Sequence, residues 1–236
     1  MRPHIKNITL VWRSGRSHSR IPVAIVKSNV FGTTFKYLKD GVEKAKEEGF
    51  VCFPDFPDTM EIHSVNVLKA LSLRINDSER SDIQDYYRFW EVPKAAQKDT
   101  YRLLAYTQGI LPTDNFEFLA EYYGVKGVRF VSELTGLSEN QLENDCIHEG
   151  DELEWKLEPE NEYDPMAVAL YKNGQMLGHV KRIHSHVFYL PCSGVLKVKV
   201  KKIEHNGHIS RALILIYNSI VKSPLAVGTD SVLISK

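Results

Sequence analysis

Two adjacent residues, Asn173-Gly174, constrain this chain more than any others. Both tolerate the left-handed backbone that a two-residue hairpin turn demands, and few other dipeptides do. On either side lie short strand-like runs, Ala167-Val-Ala-Leu-Tyr171 and Met176-Leu-Gly-His-Val180. An antiparallel hairpin is expected here. Its neighbours continue the pattern. Gly150–Leu157 alternates Leu153, Trp155 and Leu157 against Glu152, Glu154 and Lys156, and Val195–Ile203 alternates Leu196, Val198 and Val200 against Lys197, Lys199 and Lys201. His208–Tyr217 is the expected partner of that last strand, and Gly127–Val131 supplies another. Ile183–Leu190 and Ser138–Asn144 read as short helical stretches. Strands this short and numerous predict a small OB-like antiparallel β-barrel, which leaves no free sheet edge.

The first half reads differently. Ile8–Trp12 and Ile21–Val26 are expected strands joined through Arg13–Arg20, with Phe35–Tyr37 a third. Gly41–Glu48 predicts a helix. Phe50–Asp58 contains Pro54 and Pro57, so it is expected as an extended segment anchored by its aromatics. Val65, Leu68, Leu71, Leu73 and Ile75 form a helical stripe, and Asp82–Trp90 another, capped by Ser81 or Asp82. Thr100–Thr107 and Phe116–Tyr123 predict two more helices, the second capped by Thr113 or Asp114. The fold class expected is α+β. A mixed strand/helix domain over residues 1–123 precedes the barrel over 124–218, and 219–236 form a tail.

Charge narrows the function classes. Thirty Lys+Arg balance thirty Asp+Glu in 236 residues, which argues against a general polyanion binder. The balance is local as well as global. From Glu133 to Asp164 twelve acids face only Lys156, whereas from Lys172 to Arg211 eight bases face only Glu204, so an acidic and a basic face are expected on the barrel. The lysine row of Val195–Ile203 reads either as the solvated side of a strand or as ammonium groups following a phosphate backbone. Cys52, Cys146 and Cys192 form no CxxC pair and suit a reducing compartment. No apolar run approaches the ~20 residues of a membrane span, and the N-terminus lacks a signal-peptide core. A cytoplasmic protein with no membrane association is expected.

The strand Gly127–Val131, the turn Leu157-Glu-Pro-Glu-Asn-Glu-Tyr-Asp-Pro165 and the segment Gly178-His-Val-Lys-Arg182 together resemble the HIRAN domain, a small β-barrel that captures the 3′ end of single-stranded DNA. The resemblance implies a bacterial repair or phage-defence setting. It also implies roles. Asp164 would accept a hydrogen bond from the terminal 3′-hydroxyl, Asn161 would shape the turn or touch the sugar, and Tyr163 would stack on the end nucleotides. Arg129 and Phe130 match the basic residue and aromatic of the first strand. Gly178, His179, Lys181 and Arg182 match its basic strand end, where imidazole and guanidinium would meet phosphate oxygens. Against the family pattern, Leu157 replaces a basic residue, Glu162 a proline and Val131 an aromatic, while Glu160 and Glu162 add negative charge.

Each residue also has a structural reading. Asn161 and Asp164 can bond their own turn, Tyr163 and Phe130 can be core aromatics, His179 a satisfied strand histidine, and Arg129 and Arg182 surface charges. The first half resembles the N-terminal subdomain of HipA-type kinases in its initial strands, Phe35-Lys-Tyr37, Phe53–Pro57 and the region of Arg80-Ser-Asp82. That implies a scaffold or partner-binding module. No glycine-rich phosphate loop or kinase catalytic-loop signature accompanies it. His184-Ser-His186 near His179 lacks a third metal ligand at a known spacing. The leading expectation is a non-enzymatic module for single-stranded DNA, with no cofactor or metal and a possible protein partner for the N-terminal domain. A regulatory adaptor of a toxin–antitoxin or phage-defence system and a metal-dependent nuclease are the alternatives.

Overall fold

The computed structural model describes residues 4–15, 18–76, 79–124, 126–137, 145–191 and 193–219. Its first half is a five-stranded antiparallel sheet. Strands β1 (His4–Trp12), β2 (Ile21–Asn29) and β3 (Gly32–Tyr37) form a meander, and the two-residue β4 (Ile62–His63) pairs beside β3. Helix α1 (Lys39–Glu47) packs on β2. The expected strands and first helix stand where alternation placed them. Phe50, Phe53 and Phe56 are buried as anchors of the proline segment, and the Tyr37 hydroxyl holds that segment by donating to Phe56 O at 2.6 Å and accepting from Phe53 N at 2.8 Å.

Helix α2 (Val67–Ser72) is shorter than its apolar stripe suggested, for Val65 and Leu73 lie exposed outside it. Helices α3 (Ile83–Phe89) and α4 (Thr100–Thr107) follow as expected; Asp82 stands at the start of α3 without a side-chain capping bond. The expected helix over Phe116–Tyr123 is a strand instead. This β5 lies antiparallel against β1, from Trp12↔Phe116 to His4↔Tyr123, and completes the order β4-β3-β2-β1-β5. Phe116, Phe118, Ala120 and Tyr122 face the aromatic core, while Leu119 and Glu117 are buried on the other side. Burial on both faces gave an apolar spacing that imitates a helix. Asp114 caps nothing helical. It holds the buried Arg74 guanidinium at 2.7 and 2.9 Å and accepts from Phe116 N.

The second half is a closed six-stranded antiparallel barrel in the order β10-β11-β6-β9-β8-β7. Its strands are β6 (Arg129–Thr135), β7 (Glu152–Glu158), β8 (Ala167–Lys172), β9 (Gln175–Val180), β10 (Leu196–His205) and β11 (Ile209–Asn218). Val198↔Leu153 and Lys199↔Glu152 close the ring. At the β8–β9 turn Asn173 and Gly174 take φ of 51° and 80°, the left-handed pair that the dipeptide predicted. Gly178 is required by close approach: at φ 147° a Cβ would lie 2.1 Å from Thr135 O. Helix α5 (Arg182–Ser185) and a 3₁₀ turn over His186–Tyr189 occupy the expected helical stretch. The reading of Ser138–Asn144 and that of the tail beyond residue 219 fall outside the described residues.

Sheet and barrel share one set of buried side chains. Tyr122 of β5 stacks on Phe130 of β6 with ring centroids 4.1 Å apart and planes 17° from parallel. The acidic and basic runs do not form two separate faces, because much of the charge of one run pairs with that of the other. Lys172 meets Asp151 at 3.1 Å, Lys202 meets Glu149 at 3.7 Å and Arg211 meets Glu133 at 3.2 Å. Lys201, displaced by a bulge between Val200 and Lys202, turns to Glu91 at 2.5 Å. The lysine row is therefore no continuous phosphate track.

Candidate functional site

Strand β7 ends at Glu158 and β8 begins at Ala167, so the intervening residues must reverse the chain between two proline-bearing corners. Side chains supply the bonds. Asn161 Oδ1 accepts from the backbone N–H of Tyr163 at 3.0 Å and of Asp164 at 3.1 Å, an Asx turn that secures two donors. Asp164 Oδ1 then accepts from Met166 N at 3.0 Å. The structural readings of Asn161 and Asp164 thus hold, and they do not exhaust either residue.

Register decides what joins the turn. Glu158 pairs with Ala167, and His179 pairs with Ala169 on the other side of β8. Ala167 and Ala169 point to the same face, so Glu158 and His179 meet over two small side chains. Glu158 Oε2 accepts from His179 Nε2 at 2.9 Å and from Asn161 Nδ2 at 3.1 Å. The bond from His179 above all, then the one from Asn161, outweighs partial burial and holds the Glu158 carboxyl below its ordinary range. Glu158 is the hub of the site, and sequence reading counted it only among the acids. Its signal was present, as a carboxylate three residues before a turn asparagine at a strand end.

Two groups remain presented to solvent. Tyr163 is 88% exposed at the tip of the turn, beside an open groove of about 560 Å³ along residues 157–163. Arg182 opens α5 with its side chain 76% exposed and Nε 3.5 Å from Asp164 Oδ2. Five of the eight expected residues therefore come together: Asn161, Tyr163, Asp164, His179 and Arg182.

The other three serve elsewhere. Phe130 is fully buried against Tyr122 and His184, so its ring offers no face to a base. Arg129 sits at the opposite end of β6, six residues or ~20 Å from Thr135, which pairs with His179. There its Nε donates to Glu91 Oε2 at 2.6 Å, and its guanidinium lies 5.2 Å from the Tyr217 ring. Lys181 is 2% exposed, with Nζ 2.6 Å from Glu117 and 3.3 Å from Glu133. Burial raises the Glu117 carboxyl, but Lys181 and Arg20 more than offset it and bring it down to about 2. Lys181 thus ties the barrel to β5. Lys181-Arg182 read as one basic cluster, yet the strand end turns one inward and the helix turns the other outward.

His184 is enclosed, with Nδ1 2.7 Å from Ser132 Oγ, and burial drives its imidazole well below the ordinary histidine value. Neutral and structurally bonded, it is not disposed as half of a metal pair with His186. Among the described residues no three of His, Cys, Asp or Glu gather as metal ligands would, and no helix is long and apolar enough to cross a membrane.

Residues 122–213 match the family model of the HIRAN domain. Among solved structures the chain is similar to the crystal structure of the HIRAN domain of human HLTF, at 16% identity and a TM-score of 0.30, over 37% of this chain and 74% of that one. No curated protein matches the chain. The likeness of the first half to HipA-type kinases finds no support in these comparisons. The closed barrel overlaps the family match, and the chain carries a HIRAN domain at residues 122–213.

Proposed function

We propose that the barrel binds single-stranded DNA at a free 3′ end, without chemistry on it. One observation carries this reading: the Asp164 carboxylate has one oxygen fixed by the turn and the other, among the described residues, held by an exposed arginine. The fixed oxygen sets the orientation, and Oδ2 is available to accept from a terminal hydroxyl once Arg182 moves to a phosphate. A neutral O–H is a good partner for that oxygen. A 3′-phosphate or a continuing strand brings a second anion to it and is repelled. Tyr163 supplies a sequence-tolerant stacking face worth ~1–3 kcal/mol per base. Glu158 and His179 hold the turn in place, so the carboxylate need not be ordered on binding.

The acids Glu160 and Glu162 border the groove and oppose a polyanion passing over them. A ligand that enters from the Arg182 side and terminates at Asp164 avoids them. The test is fluorescence anisotropy of the whole chain with oligonucleotides bearing a 3′-hydroxyl or a 3′-phosphate. Tighter binding of the hydroxyl form supports end recognition; equal affinity, or no binding of either, sinks it.

A further inference from the structure

If the end is seated at Asp164, the rest of the strand must leave the turn somewhere, and the geometry assigns it a path onto the N-terminal sheet. Arg182 begins at Asp164 and is largely exposed. The backbone stays helical through His186, which places His186 four residues on, ~6 Å away on the same face. The His186 ring lies 6.5 Å from that of Tyr123, tilted 39°. Tyr123 is the last residue of β5, paired to His4 of β1, and it is 53% exposed. Lys6 of β1 extends its ammonium 5.7 Å from the centre of the same ring and is itself 54% exposed. Lys126, three residues after Tyr123, is exposed as well.

We infer that Tyr123 is a second stacking platform for single-stranded DNA, reached from Asp164 across Arg182 and flanked by the ammonium group of Lys6. This rests on the 3′-end reading and extends it to the sheet. The role of His186 is to back the Tyr123 ring. Its Nδ1 lies 3.4 Å from Ile183 O and its Nε2 is shielded from solvent, so it offers a ring edge rather than a phosphate contact. An aromatic face beside a cation is what binds an unpaired strand regardless of sequence. Glu121, two residues before Tyr123 on β5, accepts from Lys6 at 3.2 Å and from Asn7 at 3.1 Å, so it is already engaged. On this path the strand departs away from Glu160 and Glu162. The N-terminal sheet thereby acquires a part in binding, since β1 supplies Lys6 and β5 supplies Tyr123.

The test compares a 3′-hydroxyl trinucleotide with a longer oligonucleotide in the range of about 4–16 residues that such barrels accommodate. Tyr123→Ala is expected to weaken the longer ligand about ten-fold and leave the trinucleotide unchanged, while Tyr123→Trp keeps wild-type affinity for both. Lys6→Ala should lower the salt dependence of the longer ligand alone by about one phosphate contact. Equal loss for both lengths, or no gain with length in the wild-type protein, overturns the second platform. The two proposals fail separately. A length gain lost in Tyr123→Ala but indifferent to a 3′-phosphate keeps the platform and removes the end reading. A hydroxyl preference blind to length and to Tyr123 does the reverse.

Discussion

The carboxylate of Glu158 and Nε2 of His179 meet at 2.9 Å over the outer face of β8, and the same oxygen accepts from Asn161. A strand end is thus locked to the turn that follows it. The turn carries Asp164, so the precision of that carboxylate depends on the Glu158–His179 pair.

Removing the hub should loosen recognition more than it unfolds the protein. Glu158→Ala is expected to cost about 1 kcal/mol in stability, as a half-exposed bond does, while abolishing discrimination between hydroxyl and phosphate ends. Denaturant melts and binding curves on one preparation measure both. Retained discrimination would show that the turn holds without Glu158.

Acid should act on the same pair. The folded Glu158 carboxyl lies below its ordinary value of 4.5, so its contribution is whole above that value and is lost as pH falls through the depressed one. Protection of the Tyr163 and Asp164 amides, measured as exchange relative to the intrinsic rate at each pH, should fall in that window and not at neutral pH.

The buried charges between sheet and barrel predict a larger effect. Lys181→Met removes the ammonium 2.6 Å from Glu117 and 3.3 Å from Glu133 in a largely enclosed site and leaves Arg20, 2.9 Å from each carboxylate, to hold both, a loss of ~3 kcal/mol. Glu117, depressed to about 2, contributes fully above its ordinary 4.5 and progressively less as pH falls toward about 2. Urea titrations at neutral and acid pH should show the gap between wild type and variant narrowing in acid. A gap independent of pH would contradict the assignment.

Phe130→Ala separates structure from recognition. The ring is fully buried against Tyr122, so truncation should cost ~3–5 kcal/mol. The protein that remains folded at low temperature should keep its preference for a hydroxyl end. Loss of that preference with stability unchanged would restore Phe130 to the binding site.

Arg182 gives the opposite pattern. With three quarters of its side chain in solvent, Arg182→Ala should leave the melt unchanged, weaken both end types and reduce the salt slope by about one.

The barrel was legible because its strongest signals are local. Asn173-Gly174 demands a particular turn, and β10 alternates because one of its faces alone meets the core. β5 was not legible, since Leu119 and Glu117 are buried by the barrel and erase the contrast between its faces. The same limit governs the site. The Asx turn at Asn161 is written within four residues, whereas the Glu158–His179 bond depends on two strand registers. Lys181 and Arg182 are chemically alike and adjacent; only the switch from strand to helix between them decides which is enclosed.

The most direct measurement is a cycle between Asp164 and the 3′-hydroxyl. Affinities for hydroxyl-ended and phosphate-ended oligonucleotides are compared in wild type and in Asp164→Ala at fixed ionic strength. The wild-type protein should favour the hydroxyl end about ten-fold or more, as a charge-assisted hydrogen bond replaced by like-charge repulsion implies, and the variant should bind both equally. A preference that survives in Asp164→Ala at its full size would contradict end recognition by this carboxylate.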